Sequence, residues 1–266
     1  TALYGFKPSY GRVKMTGIEP LAGSFDHPGL IAADFAVLRA AARVLLADAA
    51  IDRTSMTGER LRIAVPSALP AYTDPEITAH LAELAAHLAA EGHEVRPWAP
   101  PDLKALARAF GTLVLAEAHD HYDTLSPEAR GQLGPAARAA LAHTLGPDDL
   151  SRALAVTGVA RTAFEDLLAD VDVLLTPTLL IRPPRQGAEQ VTVDGKAYPI
   201  LSIFLAGTCF ATLAGLPALA LPGHGAASVS IQAVAARGRD AELFAAGAHI
   251  LRVQQGVGRY LDGERS

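Results

Sequence analysis

Lys7 and Ser9 lie two residues apart in Tyr4-Gly5-Phe6-Lys7-Pro8-Ser9. A lysine held neutral beside a serine hydroxyl can take its proton, which is the chemistry of Ser–Lys amide hydrolysis. The plainer reading of Lys7 is a partly exposed lysine on a turn. Thr1, as an N-terminal residue, would be its own nucleophile and base, as in N-terminal-threonine hydrolases. His119, Asp120, His121 and Asp123 bring ligand-type atoms close together. On a helix, however, His119 and Asp123 share a face that His121 does not, so a polar helix surface is the better reading and no metal is expected. His27 follows Asp26 and reads equally as a site-lining or a loop histidine. Cys209 has no histidine near it in sequence, and a lone buried cysteine behaves as a small hydrophobe. The glycine-rich loops that cradle phosphates are absent from the sequence, and no cofactor is expected.

The elements that must position these residues alternate between strand and helix patterns. Residues 29–50, GLIAADFAVLRAAARVLLADAA, carry apolar residues at helical spacing, with Asp34 as N-cap. Leu61-Arg62-Ile63-Ala64-Val65-Pro66 predicts a strand. Asp74 caps a helix that has Pro75 in its first turn and stops at Gly92. His93 to Pro97 predicts the next strand, giving a strand–helix–strand unit. Residues 102–170 read as helices punctuated at Pro127, Gly134-Pro135 and Gly146-Pro147. Val171 to Leu175 is a buried strand pattern running into Thr176-Pro177, and Val191 to Lys196 predicts a hairpin. A helix over 201–214, strands over 218–222 and 229–234 and a last helix over 240–257 complete the pattern. With no repeat and no linker, residues 1–266 read as a single α/β domain.

Composition narrows the function. The 266 residues carry a net charge of −5, with 50% hydrophobic and 19% charged residues, so the chain is globular. Four lysines and scattered arginines leave no basic cluster for nucleic acid. No run of eighteen apolar residues predicts a membrane span. One cysteine excludes an internal disulfide framework and fits a cytoplasmic location.

Tyr4 to Val13, followed by Gly17-Ile18-Glu19-Pro20-Leu21-Ala22-Gly23-Ser24-Phe25-Asp26, resembles the segment after the nucleophile in amidase-signature enzymes, roughly G-L-K-P-T-x-G-R-V-S and G-x-x-P-L-A-x-S-L-D. Further along, Asp172 to Thr178 is similar to D-V-L-L-T-P-T. Leu213 to Ala218 is similar to L-A-G-L-P-A, and Ser230 to Val234 to G-x-Q-L-V. Several weak pieces in the family's order make the match specific. The resemblance implies a large mixed β-sheet flanked by helices. It implies hydrolysis of an amide C–N bond by a Ser–cis-Ser–Lys triad, with the nucleophile a few residues before G-L-K-P. This chain would begin just after that point, supply no catalytic residue, and form the sheet and the far wall of the pocket.

The same resemblance implies substrate contacts at Phe204, Thr208, Cys209 and Phe210, and a loop-supporting role for Ser24 and Asp26. Family members that use glutamine carry an acidic residue three before the Thr that matches Thr208. Leu205 stands there, which points to an apolar or aromatic small-molecule amide as substrate. The triad-bearing segment, or a second chain, is the expected partner, and a homodimer is compatible with the sequence. The rival readings are the Thr1 hydrolase and a non-catalytic binding or scaffold subunit.

Overall fold

In a computed structural model, described for residues 3–52, 60–193, 195–223 and 229–263, a seven-stranded sheet carries helices on both faces. Its strands are β1 (Tyr4–Lys7), β2 (Leu30–Ala32), β3 (Arg62–Pro66), β4 (Glu94–Trp98), β5 (Val173–Pro177), β8 (Ala218–Pro222) and β9 (Ser230–Val234). They lie in the order β2-β1-β8-β9-β5-β3-β4. Strands β3, β4 and β5 run parallel, whereas β9 is antiparallel to both β5 and β8. A separate ribbon pairs β6 (Gln190–Val193) with β7 (Lys196–Pro199) at the predicted hairpin. This is the expected mixed sheet.

Among the described residues the α-helices are α1 (Phe35–Leu46), α2 (Pro75–Ala90), α3 (Leu103–Tyr122), α4 (Pro127–Gly131), α5 (Pro135–Leu141), α6 (Asp149–Asp170), α7 (Ile200–Leu213) and α8 (Asp240–Gly263). Asp34 and Asp74 cap α1 and α2, accepting from Val37 N and Glu76 N. Residues 29–34 depart from expectation. They do not open the helix, because Leu30–Ala32 pairs with β1 as an edge strand before Asp34 starts α1. Apolar spacing over three residues cannot separate a strand from a helix turn.

Side chains alternate across the sheet and build two cores. Leu174, Ala64 and Val234 face α3, α6 and α7, where Phe164, Leu167, Ile203 and Phe210 are buried. Val173, Leu175, Ile63, Ile231 and Ala233 face α1, α2 and α8, packing on Leu38, Leu81, Leu88 and Phe244. All five residues of β5 are buried, which explains its unbroken apolar pattern. Among the described residues no helix is long and apolar enough to cross a membrane.

Candidate active site

The strand polarity gathers Pro66, Trp98, Pro177 and Pro222 at one edge of the sheet, together with Ser230 and Tyr4 at the starts of β9 and β1. In sheets of parallel strands, ligands bind beyond the carboxyl ends. The loops after β3 and β5 meet there: Asp74 N donates to Leu180 O at 2.9 Å, and Arg182 Nε donates to Asp74 Oδ2 at 2.8 Å.

Helix α7 is fastened to this edge through Gln232, which is 3% exposed. Its Nε2 donates to Gly207 O at 2.6 Å and to Thr176 Oγ1 at 2.9 Å. Thr178 and Ser230 hydroxyls lie 2.9 Å apart, and Ser230 Oγ donates to Leu221 O at 3.1 Å. Gly207 lets the helix come this close: a Cβ there would stand 2.6 Å from Thr178 O.

The helix therefore presents a fixed outer face. Phe204, Leu205 and Thr208 are half-buried, and Thr208 Oγ1 donates back to Phe204 O at 2.9 Å. Cys209 and Phe210 turn inward. Burial pushes the Cys209 thiol up to about 12, which removes it as a nucleophile at neutral pH. Phe210 stacks on Phe164 at 4.9 Å and 17°, and the crevice beside it holds about 10 Å³, room for about one water. Of the four expected contacts, Phe204 and Thr208 stand on the accessible face of α7, with Cys209 and Phe210 buried behind it. Tyr72 and Tyr198, whose rings lie 5.4 Å apart, were not foreseen as a pair. Burial, then Asp102, Tyr198 and Cys209, raise the Tyr72 phenol. A contact between the loop after β3 and the β6–β7 ribbon leaves no local signal in sequence.

The opposite edge of the sheet holds the residues around Lys7. Lys7 Nζ donates to Leu216 O at 2.5 Å and to Pro8 O at 3.2 Å. Burial lowers it to about 8, against an opposing pull from Asp240. Ser9 donates through N and Oγ to the fully buried Asp240, at 2.8 and 2.7 Å, and its Oγ accepts from Gly238 N at 2.8 Å. Lys7 and Ser9 thus bind other groups rather than each other, and they hold the chain after β1 against the start of α8. Asp26 Oδ2 accepts from Leu21 N and Ala22 N at 2.8 and 3.1 Å, while Ser24 N donates to Glu117 Oε2 at 2.9 Å. Both residues brace the loop between β1 and β2. His27 Nδ1 donates to Phe25 O within the same loop, and burial, then Lys7, lowers its imidazole.

The histidines and aspartates of α3 do not converge. His119 Nε2 donates to Leu141 O at 3.0 Å, His121 Nε2 meets Glu19 Oε1 at 2.7 Å, and Asp123 Oδ1 faces Arg130 at 3.4 Å. Thr1 lies outside the described residues.

The comparisons with known proteins agree with this architecture. A mitochondrial glutamyl-tRNA(Gln) amidotransferase subunit of Eremothecium gossypii is 27% identical over 96% of this chain and 66% of its own length. The 2-amino-5-chloromuconic acid deaminase of Comamonas testosteroni is 30% identical over 84% of this chain and 49% of its own length. The chain thus spans about half to two thirds of these curated relatives. A crystal structure of an amidase superposes with a TM-score of 0.80 at 28% identity, covering 94% of this chain and 58% of that one. The Amidase family profile matches residues 1–244, and the chain belongs to that family.

Proposed function

We propose that the protein hydrolyses the C–N bond of an apolar or aromatic small-molecule amide. In this reading a Ser–cis-Ser–Lys triad resides on polypeptide N-terminal to Tyr4, and this chain supplies the sheet and one wall of the pocket. The reading is supported by family membership and by the chain's coverage of about half to two thirds of its relatives. The observation that carries the substrate class is the outer face of α7. There Leu205, Phe204 and Thr208 are held in place by the Gln232 clamp, and no carboxylate stands among them to read a substrate ammonium group. An apolar wall discriminates by burying apolar substrate surface and leaves polar competitors unpaired.

In this account Thr208 and Phe204 touch substrate, Cys209 and Phe210 back them, and Ser24 and Asp26 hold the loop between β1 and β2. The partner is the triad-bearing segment, in the same polypeptide or in a second chain. Membership of a larger assembly also has a precedent in the amidotransferase relatives, which are named as subunits. Intact mass and peptide mapping after treatment with a serine-directed fluorophosphonate test the assignment. Labelling of a serine N-terminal to Tyr4, with loss of amide turnover, is expected. Labelling within residues 3–263, or turnover that survives complete labelling, would refute it.

A further inference from the structure

A cleft of about 600 Å³ opens at the C-terminal end of α7, on the opposite edge of the sheet from the proposed pocket. Its volume falls in the range of small-molecule sites, about 300–1,000 Å³. Its accessible apolar surface comes from Tyr10, Ala169, Ala214 and Ala236, over the buried Leu168, Leu213 and Leu216, and Arg161, Arg237 and Glu165 also line it.

The two arginines are held in place without carboxylate partners. Arg161 Nε donates to Leu213 O at 2.6 Å. Arg237 Nη2 donates to Tyr10 O at 3.2 Å, and its guanidinium lies 5.8 Å from the centre of the Tyr10 ring. Among the residues whose side chains are described, neither Arg161 nor Arg237 takes part in an ion pair. Glu165 sits one helical turn after Arg161, at the spacing where such pairs form, yet Arg161 turns to the end of α7 instead. A third arginine of the cleft, Arg239, is engaged by Glu242 at 3.7 Å. Two unpaired guanidinium groups against one carboxylate leave the cleft with a charge of +1, in a chain whose net charge is −5.

Capping of the α7 carbonyls accounts for Arg161 Nε, but it uses one of five guanidinium donors. We infer that this cleft binds a small monocarboxylate with an apolar body, its carboxylate between Arg161 and Arg237 and its body on Tyr10, Ala214 and Ala236. Arginine forks match carboxylate geometry and are less strongly hydrated than ammonium groups. The accessible apolar lining supplies the burial that a free inorganic anion cannot use. The inference does not depend on the amidase reading, because the groups it uses lie away from Phe204, Leu205 and Thr208.

Calorimetric titration of the protein with sodium benzoate tests it, with benzamide as the uncharged counterpart and inorganic phosphate as the anion without an apolar body. Saturable benzoate binding is expected. Arg161→Gln and Arg237→Gln should each weaken it roughly tenfold, the loss of a charge-assisted contact. Glu165→Gln, which removes the opposing charge, should tighten it and serves as the variant that leaves both arginine anchors intact. Absence of benzoate binding, equal binding of benzamide, preference for phosphate, or benzoate binding unchanged in both arginine variants would each overturn the inference. Binding unchanged in those variants would place benzoate elsewhere, the proposed amide pocket included.

Discussion

Replacing Gly207 by alanine should loosen the joint between α7 and β5 on which the proposed pocket depends. The added Cβ would stand 2.6 Å from Thr178 O, against 3.4 Å for the near limit of ordinary contact. The helix must therefore move by 3.4 − 2.6 = 0.8 Å. Both sides resist: Gly207 O is held by Gln232 Nε2 at 2.6 Å, and Thr178 N donates to Ser230 O at 2.8 Å. Overpacking of this kind costs about 1–3 kcal/mol. Exchanging glycine for alanine in a helix returns up to about 1 kcal/mol, so a net loss of about 0–2 kcal/mol is expected. Gly158 on α6 provides the control, because nothing lies within 4 Å of a Cβ there. Gly158→Ala should stabilise by about 0.5–1 kcal/mol. Urea denaturation of both variants measures the difference. Gly207→Ala proving as stable as Gly158→Ala would refute the claim that Gly207 sets the approach of α7 to the sheet.

Other consequences follow from the same contacts. Lys7 has a folded value of about 8 against 10.5 for the free side chain. The unfolded chain therefore binds more protons between those pH values, and stability should rise with pH across that window by up to about 3 kcal/mol. Urea titrations at pH 8 and pH 10 should show this rise in the protein and a smaller one in Lys7→Met; equal slopes would contradict the assignment. Asp240→Asn places an amide N–H against a Ser9 hydroxyl that already accepts from Gly238 N, and should cost about 1–3 kcal/mol. A double-mutant cycle with Ser9→Ala should show the two losses to be shared, and additive losses would separate the residues. Leu205→Asp should lower kcat/KM for apolar amides about tenfold or more while leaving the urea midpoint nearly unchanged. A variant with undiminished turnover would remove Leu205 from the pocket wall.

How far the sequence could be read depended on the range of the interactions. Asp34, Asp74-Pro75 and Gly92 mark helix ends through contacts within a few residues, and they stand where expected. Strand β5 was legible because burial on both faces leaves an unbroken apolar run. Strands β1 and β2 were not, since four and three residues carry too little pattern and their pairing joins distant parts of the chain. The same limit hid the supports of the site. Gln232 meets Thr176 and Gly207 across 56 and 25 residues, and Asp240 meets Ser9 across 231. Family motifs marked Ser9, Thr176 and Gln232 without saying what they touch.

The most direct test of the account is the ratio of kcat/KM for a hydrophobic amide to that for glutamine. It is to be measured on the protein together with the proposed triad-bearing segment. The account predicts turnover of aromatic and aliphatic amides such as phenylacetamide, with glutamine and asparagine hydrolysed far more slowly. Efficient turnover of glutamine or asparagine with none of the hydrophobic amides would contradict it.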